Sequence, residues 1–186
     1  MFSQCACPKG KSQGYTLVEM LVVLAIVGVL AATGIPSFSD SVTRKRVTGA
    51  TEGIYGLLLQ AKADGPIRDT NMSFNTNTGA TPWCAGYSVT PNCDCTITTS
   101  CLVDVAGTNV LQILNGTQYS GVSITENFAT GGGTTFNRIR GSASQAGTVT
   151  VSSGNWQLNI VISTDGRTRV CNPNDATSSI AGYISC

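Results

Sequence analysis

The sequence predicts an α+β chain: one long amino-terminal spine helix, followed by and packed against a carboxy-terminal antiparallel β domain. Three observations predict it. From Tyr15 to Ile35 the chain is apolar except for Glu19. Val47, Ala50, Ile54, Leu57, Leu58 and Ala61 then recur at three- and four-residue spacing, the stripe of a helix that lies against another layer. After Pro66 the pattern changes to short runs rich in Val, Ile and Thr, partly alternating and separated by turn residues.

Residues 1–14 read as a leader rather than as part of the fold. Residues 15–36 form the first half of the helix, and residues 37–65 its amphipathic half. Together they make a helix of about 48 residues, about 70 Å long. Gly65-Pro66 is expected to stop it. Gly49, Gly53 and Gly56 weaken a helix by roughly 1 kcal/mol each relative to Ala, but their spacing also allows close packing. The apolar run is the length that crosses a bilayer. Three readings compete for it: a cleaved secretory signal, a plain membrane anchor, or a segment with a purpose for its carboxylate. The first fails on length and on the poor small-residue site at Ala31 and Ala32. The second leaves Glu19 unexplained, and a carboxylate in lipid is costly enough to read as functional.

The remaining residues, 66–186, form the β-rich domain. Expected strands are Tyr87–Thr90, Leu102–Val105, Val110–Leu114, Val122–Thr125, Thr134–Arg140, Thr148–Ser152, Trp156–Ser163 and Arg167–Cys171. Asp165-Gly166 signals a tight turn between the last two. Gly131-Gly132-Gly133 reads as a flexible loop without the context of a phosphate site.

Of 186 residues only 11% are charged, and 21 are Gly, the composition of a secreted β-rich domain. Net charge is +1. Without Lys9 and Lys11 the side chains sum to −1, so nucleic-acid binding would have to rest on a local patch. Cys5 and Cys7 lie in the leader. Cys84, Cys93, Cys95, Cys101, Cys171 and Cys186 remain, an even set that implies disulfides in an oxidising compartment. They allow fifteen connectivities, between which sequence cannot choose. The spacing suggests Cys171 with Cys186 and the other four among themselves. A zinc site at Cys84, Cys93, Cys95 and Cys101 is the rival, disfavoured because the chain has no His and the spacing is not a standard one. Lys9 and Lys11 favour a cytoplasmic amino terminus. Arg44-Lys45-Arg46 pulls the other way, and the cysteines decide for an external β domain.

Gly14-Tyr15-Thr16-Leu17-Val18-Glu19, heading the apolar run, resembles the class III prepilin pattern of the type IV pilin-like superfamily. The resemblance implies cleavage between Gly14 and Tyr15 by a prepilin peptidase and N-methylation of Tyr15. It implies that Glu19 assists docking, by pairing with a neighbouring subunit's amino terminus, and that Pro36 is the family's helix proline, where a missing N–H permits a kink. The partners implied are other pilins or pseudopilins, the peptidase and the inner membrane. The location implied is a single-pass inner-membrane precursor with a periplasmic domain, later a pilus or pseudopilus. The terminal hairpin with Gly166-Arg167-Thr168-Arg169-Val170-Cys171 resembles the GspH/FimT/FimU group of minor pilins and pseudopilins, and implies either a minor pilin or the H-type pseudopilin of a type II secretion system.

No enzyme signature survives inspection: the chain lacks His, and its carboxylates are scattered. No cofactor is expected. The arginines are the remaining candidates. Arg138 with Arg140, and Arg167 with Arg169, share strand faces if both segments are extended. Arg forks suit phosphate. The resemblance implies double-stranded DNA as a partner of Arg167 and Arg169, for natural transformation. Arg138 and Arg140 extend that patch on charge alone. The competing expectation is a solvated face, or ion pairs to neighbouring subunits.

Overall fold

A computed structural model describes residues 14–174 and 179–186, and for residues 33–37 the backbone alone. The chain divides into two units, one ending at Asp40 and one spanning Ser41–Cys186. One helix, α1 (Leu17–Arg68, 52 residues), contributes to both.

In the second unit α1 is amphipathic. Val47, Ala50, Ile54, Leu57, Leu58 and Ala61 are buried, together with Thr51, whose hydroxyl returns a hydrogen bond to the Val47 carbonyl at 2.7 Å. Two of the helix glycines are contact points. A Cβ on Gly53 would lie 2.8 Å from Leu114, and one on Gly49 3.2 Å from the Tyr119 ring, so their lost propensity is exchanged for close approach. Gly56 has no such neighbour.

The helix does not stop at Gly65-Pro66. It continues to Arg68 with Pro66 exposed in its last turn. The stop is Asp69, held at φ 52°, and the Thr70 N–H reaches back to the Gly65 carbonyl at 3.2 Å. That is the six-to-one bond of a Schellman ending, with aspartate in the left-handed position usually given to glycine.

Among the described residues ten strands follow: β1 (Met72–Asn77), β2 (Cys84–Ser88), β3 (Leu102–Val105), β4 (Thr108–Leu111), β5 (Ile113–Asn115), β6 (Ser123–Phe128), β7 (Gly133–Phe136), β8 (Gly147–Ser153), β9 (Trp156–Ile162) and β10 (Thr168–Cys171). They form two four-stranded antiparallel sheets, ordered β5-β2-β1-β7 and β10-β9-β8-β6, and a separate β3–β4 hairpin. Met72, Phe74, Ala85 and Tyr87 of the first sheet share one apolar core with Val149, Val151, Leu158, Ile160 and Ile162 of the second and with the helix stripe. Glu126 on β6 ties the sheets together, accepting from the Thr76 hydroxyl of β1 and from the Gly132 N–H at 2.8 Å.

Several strands differ from the sequence expectation. β1 was not expected: its Asn and Thr content hides the apolar alternation of Met72 and Phe74. The expected Val110–Leu114 strand is two. Gln112 leaves the β3–β4 hairpin, donating to the Cys101 carbonyl and accepting from Tyr87 N–H, and carries the chain into the first sheet. The expected Thr134–Arg140 strand ends at Phe136, because the Asn137 carboxamide takes the N–H groups of Ile139 and Arg140 and closes a turn. Gly131-Gly132-Gly133 is not a loose loop: Gly132 is bonded on both sides, and Gly133 begins β7 where a Cβ would lie 1.9 Å from the Phe74 carbonyl oxygen.

Three disulfides complete the unit: Cys84–Cys95, Cys93–Cys101 and Cys171–Cys186. The first two fold residues 84–101 into a knot beside the first sheet. Within it, the Thr96 hydroxyl and N–H hold the Asp94 carboxyl below its usual range. The third closes the carboxy-terminal loop, pinned by the buried Asn172 side chain, which bonds Ile180 and Tyr183 backbone. Tyr183 hydrogen-bonds Glu52 on the helix, and burial together with that carboxylate pushes its phenol up to about 12. Burial and the Asp64 carboxylate raise Tyr87 in the same direction.

The stripe should be separable from its exposed neighbours by mutation. Leu58→Ala is expected to cost about 2–5 kcal/mol in denaturant unfolding of the oxidised protein, and Leu59→Ala, whose side chain is 43% exposed, well under 1 kcal/mol. Tyr183 and Tyr87 both hold their protons more tightly in the folded chain. Their contribution is therefore complete below the unfolded phenol value of 10.0 and is lost as pH rises through the raised folded values. In a phenolate absorbance titration these two of five tyrosines should ionise last, and Tyr183→Phe should shrink the late phase.

Candidate functional site

The first unit presents one feature. Thr16 caps α1: its hydroxyl accepts from Glu19 N–H and its carbonyl from Met20 N–H, each at 3.2 Å. Thr16-Leu17-Val18-Glu19 is thus the opening of a capping box, a spacing that was legible in the sequence but was not read there. Glu19 sits in the first turn, where the helix dipole favours a negative charge. Gly14 and Tyr15 precede the helix and are exposed. Leu17, Val18, Leu21, Leu24, Ile26, Val27, Val29 and Leu30 are all exposed, on every side of the helix. An apolar helix with no polar face needs cover from lipid or from other helices. Among the described residues no helix is long and apolar enough to cross a membrane. The apolar run whose side chains are described ends at Ala32, and the Pro36 side chain lies outside the described residues.

The second unit carries these arginines on the turn after β7, on the turn before β10 and in β10 itself, not as two strand faces. Arg138 lies in the turn after β7. It ion-pairs with Asp69 at 2.8 Å and donates to the Asp69 carbonyl at 2.9 Å, so a cation closes the helix end where the dipole is negative. Arg140 is in the same turn and exposed. Arg167 is not in β10 but in the turn before it, where its N–H bonds the Asp165 carboxylate at 3.2 Å and its side chain is exposed. Arg169, in β10, donates to the Cys186 backbone oxygen at 3.3 Å and is half-buried. Val170 packs against the core from the other face, as the alternation predicts.

The two turns are pressed together. At Gly166, with φ 79°, a Cβ would lie 1.8 Å from the Gly141 carbonyl oxygen, so neither a side chain nor an ordinary backbone conformation fits there. Lys62 on the helix donates to the Gly166 carbonyl at 2.9 Å and fixes the pair from below. Arg140 and Arg167, the neighbours of Gly141 and Gly166, are therefore carried on adjoining turns. Arg138 and Arg169 are occupied in holding the helix end and the terminal loop. Of the four, Arg140 and Arg167 are the exposed ones, and a guanidinium can pair a phosphate in bidentate fashion.

The chain matches two family profiles: "Prokaryotic N-terminal methylation motif" over residues 9–35 and "Type II transport protein GspH" over residues 50–166. It is 30% identical over 151 residues to a fimbrial protein of Pseudomonas aeruginosa, spanning 80% of this chain and 85% of that one. It is 31% identical over 71 residues to the type IV major fimbrial protein FimA of Dichelobacter nodosus, spanning 38% of this chain and 44% of FimA. Among solved structures, the type IV minor pilin FimU of Pseudomonas aeruginosa superposes with a TM-score of 0.51 at 14% identity, over 73% of this chain and 96% of FimU. A methylation motif that takes in the exposed apolar start of α1, then a GspH-type β domain with the same fold as FimU, place this chain in the type IV pilin-like family, in its GspH/FimT/FimU group.

Proposed function

We propose that this chain is a minor type IV pilin that acts as a structural subunit in, or at the tip of, a pilus. The observation that carries this reading is the helix from Leu17 to Ala32: apolar and exposed along its length, with a single carboxylate, Glu19, in its first turn. The precursor sits in the inner membrane with its leader in the cytoplasm and its β domain in the periplasm, where its disulfides form. Prepilin peptidase cuts between Gly14 and Tyr15, and Tyr15 is methylated. The subunit then leaves the lipid by exchanging acyl chains for the helices of other pilins. Each of its Val, Leu and Ile side chains is worth about 1.5–3 kcal/mol if kept from water, so the helix is never stable in solvent and always has a partner. Glu19 pairs with a neighbouring amino terminus, since two opposite charges tolerate burial together better than either alone. Pro36 supplies a point where the helix can bend as it is taken up.

The match to a type II transport profile favours one second reading, an H-type pseudopilin acting in protein export. The adjoining turns of Arg140 and Arg167 support an added property for the pilin reading: non-specific capture of double-stranded DNA during natural transformation. On this structure its residues are Arg140 and Arg167 before Arg138 and Arg169.

Mass spectrometry of chain purified from cells with an active prepilin peptidase should find a mature amino terminus at methylated Tyr15, and an uncut chain would refute the assembly model. Glu19→Gln should leave cutting intact and reduce recovery in sheared filaments by tenfold or more. Loss of surface fibres on gene deletion supports the pilin, and loss of secretion with fibres intact supports the pseudopilin. For DNA, duplex affinity should fall with salt, and the double variant Arg140→Ala, Arg167→Ala should reduce the log–log salt slope by about 1.8, roughly 0.9 per phosphate contact. A slope unchanged in that variant would remove these residues from any DNA site.

A further inference from the structure

A second site lies on the face of the first sheet turned away from the core. Ser73 and Asn75 on β1, at the centre of that sheet, form its floor. Thr130, Ser144 and Gln145 wall one side, and Asn92 of the disulfide knot borders the other. The cavity measures about 210 Å³. Its walls are already fixed. Gln145 accepts from both the N–H and the hydroxyl of Thr130, at 3.1 and 2.9 Å, and donates to the Gly133 carbonyl. The Ser144 hydroxyl accepts from Thr135 N–H at 3.0 Å, and Ser73 bonds Thr135 at 2.9 Å. One group is left over. Asn75 is 8% exposed, and its side-chain oxygen is buried without a hydrogen-bond partner. Such an atom bears its desolvation penalty uncompensated until something donates to it.

The chemistry of the cavity restricts what that donor belongs to. Every lining residue is uncharged, so an anion or cation would enter without a counter-charge. Hydroxyls and amides that both donate and accept match a ligand whose groups do the same. One water would satisfy Asn75, but at about 30 Å³ each a cavity of this size holds several. An extended peptide is not favoured, because β1 is paired on both sides and offers no edge for strand addition. We propose that this cavity binds a single neutral sugar ring, with the Asn75 carboxamide oxygen accepting from one of its hydroxyls. The site is independent of the assembly helix and of the arginine turns.

The test is saturation-transfer-difference NMR on the full chain, oxidised, in micelles of a detergent without a sugar headgroup. The probes are glucose, galactose, mannose, N-acetylglucosamine and N-acetylgalactosamine. At least one should give saturable transfer with a millimolar dissociation constant. Asn75→Leu should weaken it by about tenfold or more, the weight of one buried hydrogen bond. Asn75→Asp, which keeps an acceptor oxygen in place, should stay within a few-fold of the unmodified chain. Where the leucine variant loses its circular dichroism signature, Asn75→Ser takes its place, removing the amide without adding volume. Absence of saturable transfer from all five sugars means a cavity filled by water alone and overturns the proposal. So does binding that is unchanged in the folded leucine or serine variant.

Discussion

The β domain depends on the burial of one helical stripe. Val47, Ile54, Leu58 and their neighbours enter a core to which both four-stranded sheets contribute. Without that stripe the apolar side chains of both sheets would lose their cover. The helix supplies the missing layer, and the close approach at Gly49 and Gly53 brings it within reach of Tyr119 and Leu114. Residues with poor helix propensity are tolerated there because contact outweighs a loss of roughly 1 kcal/mol each.

The helix end then organises the arginine-bearing turns. Asp69 terminates the last turn, Arg138 seals it, and Lys62 one turn earlier holds the Gly166 turn against Gly141. Four arginines that look equivalent in the sequence are thereby divided. Two are bound into the fold, and two are exposed on adjoining turns. A basic residue in a pattern says nothing about which of these it will be, because the decision lies with whichever backbone oxygen or carboxylate is in range.

Hydrogen bonding rather than apolar packing governs the opposite side of the first sheet. The disulfide knot, the Gly131–Gly133 corner and the Ser144–Gln145 segment surround a polar cavity whose walls are bonded to one another and whose floor keeps one unpaired acceptor. Nothing in the local sequence announces it. Gln145 is distant in the chain from Ser73 and Asn75, all three are unremarkable one by one, and the strand that carries the last two was missed because its polar residues mask the Met72–Phe74 alternation.

The sequence by itself determined the architecture and the family. A long apolar run with one carboxylate, a three-and-four stripe and a series of short Val/Ile/Thr runs are local periodicities, and local periodicity survives into the fold because each element must present an apolar face to a core. Six cysteines after the apolar run likewise implied a stapled domain, including the Cys171–Cys186 bridge. Tertiary structure alone decided the rest: that α1 passes Pro66 and stops at Asp69, that Gln112 hands the chain from one sheet to another, that residues 137–141 turn instead of extending, and that Arg140 and Arg167 are the exposed pair. The Gln112 crossing and the adjoining turns of Arg140 and Arg167 rest on contacts between residues far apart in the chain, which have no signature in the residues that make them until the chain has closed around them. The endings at Asp69 and Asn137 rest on short-range bonds that compete with helix and strand and are decided only by what packs around them.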